Sequence, residues 1–235
     1  MPRAQYVQQL QAVQDRVLMV GSMVERAVQR SVQSLKTRDL DLSQQVVEED
    51  DLIDDEQLRL EEFTIDVIAT QQPMAGDLRV LVTALTVATE LERVGDYAEG
   101  IAKISLMMGT EAPVKPLIDI PRMAKIGTGM LRDSLDALVA KDVSKAERVW
   151  RTDDEVDALY EQVYRELLSF MAEDPSLIRR ATHLLWVAHN LERIADRATN
   201  IAERVIYVST GTMPTSSNWP MQPDHDAAQN GDEDG

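Results

Sequence analysis

Leu91-Glu92-Arg93-Val94-Gly95-Asp96 returns one hundred residues later as Leu191-Glu192-Arg193-Ile194-Ala195-Asp196. Aligning 78–104 with 178–204 at that offset gives eleven identities over 27 positions, among them Arg79/Arg179, Leu85/Leu185 and Ala88/Ala188. Upstream the match continues at an offset of 103. It pairs Leu35 with Leu138, Asp39 with Asp142, Asp50 with Asp153, Asp51 with Asp154 and Asp54 with Asp157. The change of offset must fall in a loop, and each copy has one, Gln71-Gln72-Pro73-Met74-Ala75-Gly76 and Glu173-Asp174-Pro175. Two copies of this length are too few and too long for a solenoid of short stacked units. They predict a pseudo-twofold pair of small bundles.

Working outward, the apolar or small residues Leu10, Val13, Val17, Val20, Val24, Ala27, Ser31 and Leu35 recur in steps of three and four. That is one stripe of a long helix, spaced close to a coiled-coil heptad. Thr37-Arg38-Asp39 breaks it, and Asp39 suits the N-cap of a second helix to about Thr70. A third helix is expected from Asp77 to about Met108. The second copy repeats the plan over Arg122–Ala140, Asp142–Met171 and Ser176–Ser209, with Asp174-Pro175 as cap and first-turn proline of the last. No strand signal survives this periodicity. The expected fold is all-α, with six long helices in two tandem, pseudo-twofold-related three-helix bundles. The first repeat covers 1–110, a proline-bearing linker 111–121, and the second repeat 122–210. Residues 211–235, with five acids and no Lys or Arg, read as a disordered tail in which Trp219 is an accident of composition.

The chain of 235 residues is long enough for a real core and has no cysteine, which excludes disulfides and thiolate metal sites. Aromatics make up only 4%. The net charge of −17 argues against a nucleic-acid partner or an anionic membrane surface. The longest nearly uncharged run, Val80 to Thr89, falls far short of the roughly 20 residues that span a bilayer, and no apolar signal core begins the chain. A cytoplasmic protein without membrane insertion is expected.

The repeated acids lie four apart on helices, a spacing that puts both on one face. Each second and third helix forms an antiparallel hairpin, in which residues equally far from the turn share a height. Counting from Pro73 sets Asp54 level with Glu92 and Asp50 with Asp96. Counting from Asp174–Pro175 sets Asp157 level with Glu192 and Asp153 with Asp196. Four carboxylates then converge in each copy, and like charges at that range raise one another's pKa unless a cation intervenes. All-oxygen ligation suits Mg, Ca, Mn or Fe better than Zn or Cu. The plain alternative is a salt-bridged surface in which Arg93 and Arg193 neutralise the acids, helped by Arg59, Arg79 and Arg165. His189, three before Glu192, has Thr89 as its counterpart and reads as an ordinary helix residue, and His183 as partly buried structure. No phosphate loop, nucleophile elbow or paired ExxH of the di-iron oxidases is present, so an enzyme is not expected.

The tandem of Glu92-Arg93-Val94-Gly95-Asp96-Tyr97-Ala98-Glu99-Gly100-Ile101-Ala102-Lys103 and Glu192-Arg193-Ile194-Ala195-Asp196-Arg197-Ala198-Thr199-Asn200-Ile201-Ala202-Glu203 resembles the PhoU family of phosphate-specific transport accessory proteins. The likeness covers about 5–210. The resemblance implies two similar three-helix bundles and a negative regulator of the phosphate-starvation response. It also implies coupling of the Pst phosphate ABC transporter to a PhoR-type sensor histidine kinase, restraint of uptake when phosphate is plentiful, and a homodimer. The family's acidic motifs hold metal, so the expected ligands are Glu92, Asp96, Glu192, Asp196, Asp50, Asp54, Asp153 and Asp157. Arg93 and Arg193 would be their ion-pair partners, and the metal iron, manganese, magnesium or zinc. The sequence departs from the family pattern at Gly100, where an Asn like Asn200 is common. It departs again at Arg197, where many relatives have His, which weakens the case for a nitrogen ligand. A metal-free interaction bundle and a carboxylate-bridged oxidase are the alternative readings.

Overall fold

A computed structural model describes residues 3–214; Trp219 and the rest of the expected tail from 215 onward lie outside the described residues. Six α-helices carry the described residues, α1 (Arg3–Thr37), α2 (Leu40–Gln71), α3 (Ala75–Met108), α4 (Asp119–Ala140), α5 (Val143–Glu173) and α6 (Ile178–Thr210). No strand occurs among the described residues. The stripe on α1 is buried through Val13, Val17, Val20, Val24, Val28, Val32 and Leu35.

The duplication extends to the turns. Arg38 and Lys141, counterparts at the 103 offset, both adopt left-handed backbone with φ of 57° and 54°. An N-capping aspartate follows each: Asp39 accepts from the Leu42 amide and Asp142 from the Lys145 amide, both at 2.9 Å. The second turns differ. Gln72 and Ala75 are left-handed in the first copy, whereas in the second Asp174 accepts from Ser176 and a 3-10 turn, Pro175–Leu177, leads into α6. The last helix therefore begins two residues after the expected Ser176.

The fourth helix begins three residues before the expected Arg122. Pro121 falls in its first turn, where the missing N–H has no helical partner to lose. Lys115 fixes the approach to this turn, reaching Asp119 at 2.7 Å and Glu166 on α5.

Helices α1, α2 and α3 pack on one another, as do α4, α5 and α6, and the halves join along α3 with α6 and α1 with α4. Outer helices α2 and α5 touch only their own half. A single apolar core runs through both halves, with Leu60, Leu81, Leu91, Ile101, Met123, Leu131, Leu167, Leu184 and Leu191 enclosed. The central pair α3 and α6 is antiparallel: Arg79 near the start of α3 lies against Gly211 just beyond α6, and Arg179 near the start of α6 sits 3.4 Å from Glu111 just beyond α3. Among the described residues no helix is long and apolar enough to cross a membrane.

Candidate metal centre

Each outer hairpin places its acids at the rim of a buried seam. On α2, Asp50 and Asp54 flank buried Ile53, and on α3, Glu92 and Asp96 flank buried Val94. Gly95 lets the helices close: a Cβ there would lie 3.1 Å from Asp50 Oδ1 and 3.3 Å from Ile53 Cγ2. The Asp50 carboxylate thus rests on α3 backbone. In the second copy Asp153 and Asp157 on α5 face Glu192 and Asp196 on α6, with Ala195 in place of the glycine.

The acids raise one another. Burial lifts the Asp50 carboxyl to about 7, with Glu99, Asp54 and Asp96 adding to the rise and Lys103 opposing it. Burial and Asp96 push up Asp54, while burial and Asp96 push up Glu92 against the pull of Arg93. Burial lifts Asp153 to about 6, helped by Asp157 and Asp196 and opposed by Thr199. Burial followed by Glu192 raises Asp157, and burial raises Asp196 against Arg193.

Glu99 is a member of the first cluster that the sequence reading missed. Its counterpart is Thr199, so a search guided by duplication passes over it. The spacing Glu92, Asp96, Glu99 on one helical face was the available signal.

Both arginines reach the acids beside them. Exposed Arg93 lies 3.1 Å from Asp96 and 3.4 Å from Glu92. The more enclosed Arg193 holds Asp196 at 2.9 Å and also pairs with Glu192. Bonding to Glu192 raises its guanidinium pKa. His189 is exposed, with Nδ1 3.5 Å from Glu192, and half-buried His183 lies beside Trp186. Arg197 turns away from this face to pair with Glu90 on α3 at 3.2 Å.

Among the described residues no three Asp, Glu or His side chains are gathered closely enough to hold an ion between them. The donor set nevertheless suits a hard cation. It is all oxygen, its acids resist shared ionisation, and Asp153 Oδ1 is buried without a hydrogen-bond partner. Closing the second face on an ion requires Arg193 to release Glu192 and Asp196. Closing the first requires Arg93 and Lys103 to give up Asp96 and Glu99.

A further polar site sits at the seam between halves. Glu90 accepts from Arg197 and from Asn200 Nδ2 at 3.1 Å. On the pseudo-symmetric side, Asn190 stands so near Gly100 that a Cβ there would lie 3.1 Å from its Nδ2. The Gly100 departure noted in the sequence is therefore a close approach of α3 and α6.

The PhoU domain matches residues 17–105 and 120–205, one match per half. A Caulobacter vibrioides protein, a phosphate-specific transport system accessory protein PhoU homolog, is 42% identical over 90% of this chain and 92% of its own. The Escherichia coli K12 phosphate-specific transport system accessory protein PhoU is 31% identical over 88% of this chain and 86% of its own. The crystal structure of PhoU from Pseudomonas aeruginosa superposes with a TM-score of 0.84 at 34% identity, covering 88% of this chain and all of that one. That of the phosphate transport system regulatory protein PhoU from Streptococcus pneumoniae gives a TM-score of 0.84 at 27% identity, covering 89% and 99%.

Proposed function

The chain belongs to the PhoU family, and from that premise we propose that it is an accessory protein of a phosphate transport system, a regulator and not an enzyme. The carrying observation is that the family match spans both halves and nearly the whole described chain. In this reading the protein is a cytoplasmic adaptor that restrains phosphate uptake and the starvation response when phosphate is plentiful. It does so by coupling a Pst-type ABC transporter to a PhoR-type sensor kinase, and it works as a homodimer.

The repeated acidic faces are the proposed metal sites. Asp50, Asp54, Glu92, Asp96 and Glu99 would hold a cation in the first half, and Asp153, Asp157, Glu192 and Asp196 in the second. A bound cation would neutralise each cluster and stiffen its hairpin. The chain's own contribution is to hold the carboxylates half-desolvated and mutually repelled, so that an entering ion relieves repulsion already present.

Deleting the gene and measuring phosphate uptake in phosphate-replete cells tests the regulatory role. Expected is uptake that stays high where the wild type shuts it down; unchanged uptake refutes the role. Metal content per chain, measured for protein purified without tag or chelator, tests the faces. Wild type should carry metal that Asp96→Asn/Asp196→Asn loses. A wild type that stays metal-free after loading with iron, manganese, magnesium or zinc leaves an adaptor whose acids are only ion-paired.

A further inference from the structure

The two outer hairpins differ most in their aromatic side chains. The whole chain has five tyrosines, three tryptophans and two phenylalanines. Three of these, Tyr160, Tyr164 and Trp186, lie on the outward face of α5 and α6 beside the second acid cluster. Their first-half counterparts are Gln57, Glu61 and Thr86.

The second-half face is continuous with its acids. His189 approaches Glu192, the Tyr160 ring lies 6.1 Å from His189, and the Tyr164 ring lies 6.3 Å from Tyr160. Trp186 is one turn before His189 on the same helix, and Leu168 is one turn beyond Tyr164. Trp186, Leu168 and Tyr164 are 51%, 43% and 37% exposed, so none is core filler. Glu192 and Glu161 both act on the Tyr160 hydroxyl, which burial and these charges push up. Arg193, the cation beside the acid cluster, is committed to Glu192 and Asp196. Tyr160, Tyr164 and Leu168 stand on α5, which among the described residues packs only within its own half.

We propose that the outer face of α5 and α6 is a docking surface for a partner-protein segment that presents arginine or lysine beside an apolar side chain. Exposed Trp and Tyr rings give such a segment large, rigid contact area, and their faces attract a guanidinium or ammonium. Glu161, Glu192 and Asp157 supply the opposite charge, which steers a basic segment in and repels nucleic acid and anionic lipid. If the neighbouring acids hold a cation, Glu161 and the ring faces remain for the partner. The proposal rests on the adaptor reading, and it assigns partner docking to one half only.

The test titrates the full chain calorimetrically with a short amphipathic helical peptide bearing arginine and leucine on one face. The same peptide with glutamate in place of arginine serves as control. Expected is binding of the arginine peptide alone. Trp186→Ala/Tyr164→Ala should weaken it about tenfold or more while lowering the melting temperature by only a few degrees, both side chains being partly exposed. On the first-half hairpin, Thr86→Ala/Ile65→Ala, where exposed Ile65 is the counterpart of Leu168, should change it less than about twofold. Equal affinity for both pairs would mean that bulk negative charge alone attracts the peptide and would overturn the proposal. So would a self-association that Trp186→Ala/Tyr164→Ala abolishes without affecting peptide binding, which would assign the face to a second copy of the chain. Unchanged uptake in the gene deletion would refute the adaptor role, while the titration would still decide the face.

Discussion

The α2–α3 and α5–α6 hairpins are copies of one design that now solve the same electrostatic problem differently. In the first, Gly95 lets Asp50 lie on α3 backbone, Glu99 joins the cluster, and the neutralising groups, Arg93 and Lys103, are exposed. In the second, Ala195 stands in place of the glycine, Thr199 replaces the extra acid, and a more enclosed Arg193 ties two acids together. The result is a first-half aspartate raised to about 7 and a second-half aspartate raised to about 6. A duplicated pattern of acids therefore does not imply equal faces: the residues around each cluster set its charge balance.

The interiors diverge as well. Ser43 on α2 bonds Ser34 of α1 at 2.9 Å and Ser105 of α3 at 3.0 Å, a buried hydroxyl knot through all three helices. Its counterparts are Ala146, Ala137 and Val205, all fully buried and apolar.

The largest expected effect is at the seam. Glu90→Ala leaves Arg197 without its carboxylate in a half-buried site and should cost about 2–3 kcal/mol, somewhat below the range for a fully buried pair. Asn190→Ala on the mirror side should cost well under about 1 kcal/mol. Urea unfolding midpoints of the two variants compare them, and equal losses would mean that the seam is symmetric in energy despite its sequence.

Next is the hydroxyl knot. Ser43→Ala removes both bonds of the knot, leaving Ser34 only its own bond to the Ser31 carbonyl, and should cost about 1–2 kcal/mol. The reverse change in the other half, Ala146→Ser, should cost less than about 1 kcal/mol. Its new hydroxyl would find the Asp142 carbonyl one turn back, as Ser43 finds that of Asp39 at 3.2 Å.

Ionisation gives a pH-dependent contrast. Both aspartates titrate higher in the folded chain than in the unfolded one. The stability linked to each is complete below the unfolded pKa of about 4 and is lost as pH rises through about 7 for Asp50 and about 6 for Asp153. Asp50→Asn should therefore stabilise metal-free protein at pH 8 by about 1 kcal/mol after solvent screening, and Asp153→Asn by less. Neither gain should persist at pH 4. Thermal melts of chelated protein at the two pH values check this, and a destabilised Asp50→Asn at pH 8 would reverse the sign.

The smallest effect sharpens the comparison most. Gly95→Ala copies the second half into the first, and the Asp50 carboxylate must give by a few tenths of an ångström. Helix propensity offsets the crowding, so net stability should move by less than about 1 kcal/mol. The Asp50 pKa, followed by NMR, should fall towards that of Asp153. No movement would assign the difference between the faces to Glu99 alone.

Much of this was legible in the sequence. Periodicity and the capping aspartates Asp39 and Asp174 delimit the helices, because a side chain that caps a backbone amide acts locally and leaves a local signature. Pro121 misled the start of α4, since proline marks a break inside a helix but is tolerated in its first turn. The acid faces were legible through repetition, and Glu99 was lost for the same reason, having no copy. The Glu90 contact with Arg197 and Asn200 was not legible at all. It joins residues more than a hundred positions apart, and their pseudo-symmetric equivalents are a different chemistry.

That seam also records a history that cannot be run backwards. On α3 it presents Glu90, Tyr97 and Gly100, and on α6 Asn190, Arg197 and Asn200. A chain assembled from two first halves would confront Glu90 with a tyrosine and a glycine and leave it no donor of the kind it now has. One assembled from two second halves would press Asn190 against a residue bearing the Cβ that Gly100 lacks. The halves began as interchangeable parts and have become lock and key, so each now specifies its neighbour and neither is a spare for the other.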